Sequence, residues 1–124
     1  MFDRLSGGRL ERITFSVASI VFSIDVGKES YELSTAGIVT VRKKKSAHGE
    51  IKISKEDLGW ENTDILLQLL EKHIVETVLY DKKRSAEIIM SDGVTSIYFQ
   101  EPENYPDNLL ILENKSTGKW SVSL

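Results

Sequence analysis

Apolar and polar residues alternate along most of this chain. After a lead-in that ends at Gly7-Gly8, Leu10, Ile13, Phe15 and Val17 give LERITFSV a two-residue period, which predicts a strand. Ile20, Phe22 and Ile24 alternate with Val21, Ser23 and Asp25 and predict a second strand. Gly27, which can take a positive φ without steric cost, marks the turn into a third, short strand at Ser30–Leu33. The β-branched run Gly37–Val41 predicts a fourth strand. Ser46-Ala47-His48-Gly49 reads as a turn. In Glu50–Ser54, Ile51 and Ile53 alternate with lysines, as suits an edge strand that must not pair with other chains.

The period then changes. Ile65, Leu66, Leu69 and Leu70, extended by Ile74, recur at helical spacing and predict a helix over 63–72. Asn62 or Thr63 is the expected cap, and Asp64 complements the positive end of the helix dipole. Strands are predicted again at Ile74–Tyr80, Ser85–Met90 and Val94–Gln100. Ser91-Asp92-Gly93 joins the last two as a hairpin signal, and Asp81–Arg84 is a polar turn. Pro102 and Pro106 exclude 101–107 from a central strand. Leu109–Glu113 and Lys119–Ser123 form a last hairpin.

The two halves echo one another. Strands near Ile13, Ile20–Ile24 and Ser30–Leu33 resemble those at Thr77–Tyr80, Ala86–Met90 and Ser96–Phe99. An offset of 66 residues aligns the pattern from the second strand onward, and 65 aligns it before that. An internal repeat and the ordinary likeness of two meanders both account for this. The expected fold class is α+β in a single domain over residues 1–124. Antiparallel β-meanders, as one curled sheet or two half-sheets, pack on one main helix. The expected core includes Ile13, Phe15, Phe22, Ile24, Leu66, Leu69, Leu70, Val78, Ile88, Met90 and Phe99.

Composition narrows the function classes. A chain of 124 residues that is 40% hydrophobic and 28% charged folds around its own core. The absence of cysteine excludes disulfides and thiolate metal sites. MFDRLSGGRLER lacks the apolar run of a signal peptide, and no stretch is long enough to span a bilayer, so a cytoplasmic location without membrane association is expected. The net charge of −3 argues against direct nucleic-acid binding. The basic clusters Arg42–Lys45 and Lys82–Arg84 lie in or beside expected turns and read as solubility and edge protection.

No catalytic signature is present: no nucleophile elbow, P-loop, HExxH zinc motif or dinucleotide fingerprint. His48 in a turn and His73 at the helix exit make a poor metal pair. No catalysis, metal or cofactor is therefore expected. The aromatics in acidic surroundings are the candidates for partner binding. Tyr105 lies between two prolines with Glu101, Glu103 and Asp107. Trp60 lies among Glu56, Asp57 and Glu61. An apolar anchor with a charged rim is the composition of an interface.

Several segments also resemble a small bacterial domain family of unknown function. They are Leu66-Leu67-Gln68-Leu69-Leu70, Ile74–Tyr80, Ile88-Ile89-Met90-Ser91-Asp92-Gly93, Glu101-Pro102-Glu103-Asn104-Tyr105 and the opening Gly8-Arg9-Leu10-Glu11-Arg12-Ile13. The chain departs from that pattern after Tyr105, where Pro-Asp replaces an acidic-small-Trp sequence. Single domains of this style often occur as immunity proteins of contact-dependent inhibition and related polymorphic-toxin systems. The resemblance implies a non-catalytic protein that occludes a cognate toxin domain, such as a basic nuclease. The alternative is a small ligand-binding, regulatory or assembly domain.

Overall fold

The computed structural model describes residues 2–16, 19–36, 38–43, 49–53, 55–56, 59–60, 62–80, 85–100, 110–116 and 119–122. A 3-10 turn (Phe2–Leu5) precedes β1 (Arg9–Phe15), β2 (Ile20–Val26), β3 (Glu29–Thr35), β4 (Ile38–Lys43) and β5 (Glu50–Ile53). A small ladder, β6 (Lys55–Glu56) with β7 (Gly59–Trp60), leads to helix α1 (Thr63–Leu67). Then come β8 (Ile74–Tyr80), β9 (Ser85–Met90), β10 (Thr95–Gln100), β11 (Leu110–Asn114) and β12 (Lys119–Val122).

Two five-stranded antiparallel sheets result. The first has the order β1-β2-β3-β11-β12 and the second β5-β4-β10-β9-β8. Side-chain alternation sets their faces. Ile20, Phe22 and Ile24 of β2 are buried, as are Ala86, Ile88 and Met90 of β9 and Ile97 and Phe99 of β10. These inner faces share one core, in which Phe22 of the first sheet meets Phe99 of the second edge to face, ring centroids 5.4 Å apart.

The strand orders reveal an exchange. The meander β1-β2-β3 is completed by the hairpin β11-β12 from the second half, and the meander β10-β9-β8 by β4-β5 from the first. The halves are related by a local two-fold. Arg9 bridges to His73, its own equivalent 64 residues along the chain. The Gly7 N–H donates to the Ile74 carbonyl at 2.7 Å, and the Glu71 N–H donates to the Leu10 carbonyl at 2.7 Å. Ile74 N–H to Gly8 (2.7 Å) and Leu10 N–H to Lys72 (2.9 Å) form the next such pair. Gly7 and Glu71 both adopt positive φ, 84° and 69°. Even the irregularities repeat: the ladder shifts between Leu10 and Arg12 in β1, and between Ile74 and Glu76 in β8. The echo therefore has a structural basis, with corrected offsets. The shift is 66 for β2 onto β9 but 64 for β1 onto β8 and β3 onto β10, because equivalent positions lie two residues farther apart from β8 to β9 than from β1 to β2, and two residues closer from β9 to β10 than from β2 to β3.

Three other expectations need correction. The helix ends at Leu67, not 72; the N–H groups of Leu69, Leu70 and Lys72 then donate to carbonyls only three residues back, and left-handed Glu71 turns the chain into β8. Nor does Asn62 cap α1 with its side chain: Asn62 is itself left-handed, and its amide donates instead to the Lys52 carbonyl, 3.0 Å away. Leu66 and Leu69 nevertheless reach the core. Val78 does not belong to the inner face, because the irregularity at Val75 resets the alternation and sets Val78 opposite Glu87 on the outer face. Phe15 and Leu70 are half-buried and pack against the core. Arg42 and Lys43, just past the expected end of the fourth strand, extend β4.

Candidate functional site

The outer face of the second sheet gathers the most organised polar cluster among the described residues. Alternation on β8, β9, β10 and β4 turns Tyr80, Glu87, Ser96, Tyr98 and Arg42 outward, opposite the core positions. Pairing then brings them together: Glu87 lies opposite Tyr98 and Val78, and Ser96 lies opposite Arg42.

Glu87 is the hub. Its side chain is only 13% exposed. The Tyr80 hydroxyl donates to Oε1 at 2.8 Å and the Ser96 hydroxyl donates to Oε2 at 2.5 Å. The Arg42 Nη1 lies 3.7 Å from Oε2. The Arg42 guanidinium also stacks over Tyr98, 3.8 Å from the ring centroid, and Tyr98 meets the Tyr80 ring at 6.1 Å. Arg42 Nε lies 3.3 Å from Glu50 Oε1 but makes no hydrogen bond. Charge and stacking thus hold Arg42 while leaving an unsatisfied donor. The hydrogen bond to Glu87, then burial and the Glu87 charge, push the Tyr80 hydroxyl above its ordinary pKa. A shallow depression lined by Glu87, Ile89, Gly93, Val94, Thr95 and Ser96 adjoins the cluster.

At its rim the Ser91-Asp92-Gly93 hairpin is locked by Asp92. The backbone N–H groups of Val94 and Thr95 donate to Oδ1 at 2.9 and 2.8 Å, and the Thr95 hydroxyl donates to Oδ2. Burial pushes the Asp92 carboxyl up, but those bonds and Lys72 outweigh it and hold the carboxyl below its usual range.

The internal two-fold provides a comparison within one molecule. The pairings that place Glu87, Tyr98, Ser96 and Arg42 on the second sheet place Val21, Ser34, Glu32 and Glu113 on the first. The aromatic–arginine cluster therefore belongs to one of two equivalent faces and is not required by the architecture.

Glu101, Glu103, Tyr105 and Asp107 fall in the connector between β10 and β11, outside the described residues, as do Asp57, Glu61 and His48. The backbones of Glu56 and Trp60 belong to the β6–β7 ladder, where Glu56 pairs with Gly59 and Lys55 with Trp60. His73 is exposed at the seam. The signal for the new cluster was a charged residue inside an apolar strand, Glu87 in SAEIIM, and a tyrosine on the polar phase of another, Tyr98 in TSIYFQ.

Among the described residues no group of three or more His, Cys, Asp or Glu side chains is placed to hold a metal ion, and no helix is long and apolar enough to cross a membrane. No family model, no curated protein and no solved structure matches this chain.

Proposed function

We propose that this chain is a binding protein that docks a partner protein through the outer face of its second sheet, and that the partner is a toxin domain which it neutralises as an immunity protein. The supporting observation is the cluster of Arg42, Tyr80, Glu87 and Tyr98 on only one of two equivalent faces. Tyrosine and arginine dominate interface energetics, and mutual contacts that fix their rotamers reduce the entropy lost on docking. The acidic connector with Glu101, Glu103, Tyr105 and Asp107 begins one residue past β10, the strand that carries Tyr98, and would add a negative rim suited to a basic nuclease. Glu56, Asp57, Trp60 and Glu61 are the further candidates for that rim. The family resemblance supplies the toxin setting.

The test is co-expression with the product of the neighbouring gene, followed by affinity measurement on the purified complex. Arg42→Ala and Tyr98→Ala should each weaken binding by about 2 kcal/mol, roughly 30-fold. Ser34→Ala, at the place on the first sheet equivalent to Tyr98, should change it less than about twofold. Tyr105→Ala should also cost about 2 kcal/mol if the connector joins the interface. Reversing Glu101, Glu103 and Asp107 to Lys should mainly slow association and flatten its salt dependence. Full affinity in both the Arg42 and Tyr98 variants would refute the assignment of the face.

A further inference from the structure

The second sheet departs from the internal two-fold at the turn between β9 and β10. In the first sheet the β2–β3 ladder runs on from Ser23 opposite Glu32, through Ile24 opposite Tyr31 and Asp25 opposite Ser30, to Val26 opposite Glu29. In the second sheet the equivalent ladder stops at Ile89 opposite Ser96, the positions that match Ser23 and Glu32. Beyond that point the outer face holds the depression lined by Glu87, Ile89, Gly93, Val94, Thr95 and Ser96. Asp92 fixes the shape of the turn that walls it, by accepting from the Val94 and Thr95 N–H groups.

The lining is apolar along one part and anionic at one end. Ile89 is half-buried and Val94 is exposed. The anionic end is the Glu87 carboxylate. A carboxylate offers about four lone-pair sites. Among the described residues two are taken, by the Tyr80 hydroxyl on Oε1 and by the Ser96 hydroxyl on Oε2. The Arg42 Nη1, 3.7 Å from Oε2, is too far for a hydrogen bond. Arg42 is also shared with Glu50, 3.3 Å from its Nε, so these three groups together carry one negative charge in excess. Tyr80 approaches Glu87 from β8 and Arg42 from β4, on opposite flanks, whereas the depression lies toward the turn. On the first sheet Val21 stands in the place of Glu87.

We propose that this depression is a subsite for a lysine side chain of the partner, its stem lying on Ile89 and Val94 and its ammonium at Glu87 Oε2 and the Ser96 hydroxyl. An aliphatic stem buries on apolar surface while its charged head stays with a polar group. A compact ammonium suits a small recess better than a planar guanidinium, and it supplies the charge that Glu50, Arg42 and Glu87 lack. The subsite rests on the docking of a protein on this face and specifies the chemistry that the protein presents there.

The test is a titration of the full chain, labelled with nitrogen-15, with n-butylammonium chloride, which reproduces the end of a lysine side chain. Methylammonium supplies the charge without the stem and n-butanol the stem without the charge, all at one ionic strength. The expected result is saturable shifts at the Gly93, Val94, Thr95 and Ser96 amides with a Kd on the order of 10 mM, as suits so few atoms. Both controls should bind at least about fivefold more weakly. Glu87→Gln keeps an acceptor for the Tyr80 and Ser96 hydroxyls and should weaken n-butylammonium at least about tenfold. Val94→Ser, in the exposed turn, should weaken it about threefold. Equal binding of either control, shifts that spread over the surface without saturating, or native affinity in Glu87→Gln would each overturn the proposal. So would tighter binding of n-propylguanidinium, the end of an arginine side chain. Should Glu87→Gln fail to fold, native affinity in Val94→Ser overturns it alone. The titration needs no partner. The subsite can therefore fail while Arg42→Ala and Tyr98→Ala still weaken the complex, and the docking face can fail while the subsite stands.

Discussion

Glu87 sits in a strand whose inner positions are Ala86, Ile88 and Met90, and its charge is tolerable there because the Tyr80 and Ser96 hydroxyls and Arg42 all face it. The contact has a consequence at high pH. Tyr80 can donate to Glu87 only while its hydroxyl is neutral, and its pKa is raised in the folded chain. A raised pKa contributes stability that is fully present below the unfolded value of about 10 and is lost as pH rises through the folded value. Denaturant midpoints measured between about pH 8 and pH 11 should therefore fall more steeply for the native chain than for Tyr80→Phe. Identical profiles would show that the bond does not form in solution. Core positions make a second comparison. Phe22→Ala should destabilise by about 3–5 kcal/mol, because Phe22 is fully buried against Phe99. Val78→Ala should cost only about 1 kcal/mol, because Val78 faces outward. Sequence alternation identified Phe22, Ile24, Ile88, Met90 and Phe99 as inward because those strands run without interruption. It misplaced Val78 because an irregularity of a single residue carries no compositional mark.

Among the elements, the hairpins were the most legible. Gly27 and Gly93 adopt φ of 62° and 76°, a backbone that the turns require and that glycine adopts without strain. The helix was legible in position but not in length. Its leucine spacing suits a helix and 3-10 turns alike, and the left-handed break falls on Glu71, a residue that does not advertise it. The equivalent place in the first half is Gly7. Glu71→Gly should therefore raise stability by about 0.5–1 kcal/mol, as relief of left-handed strain outweighs the added freedom of the unfolded chain. A loss of stability in urea titration would argue that Glu71 is held there by contacts worth more than the strain. Gly8 shows the opposite constraint. A Cβ there would lie 2.8 Å from methyl groups of Ile24 and Val26 and 2.9 Å from the Leu5 carbonyl. Gly8→Ala should cost about 1–3 kcal/mol, because the 3-10 turn must move away from the sheet.

For the molecule as a whole, what was hidden is what is non-local. Arg42 and Tyr98 come from different halves and meet because β4 leaves its own meander to pair with β10. No local pattern encodes that choice, so a search of the sequence settled on aromatics with acidic neighbours and passed over a cluster assembled by the exchange. The same exchange makes the two outer faces comparable, and that comparison is the ground on which the second sheet is proposed as the binding face. The direct test is nuclear Overhauser contacts across the strands in the isotope-labelled chain. The account requires β3 to contact β11, with Leu33 beside Leu112, and β10 to contact β4, with Ile97 beside Val41. Contacts of β3 with β4 and of β10 with β11, each meander closed by its own hairpin, would contradict it.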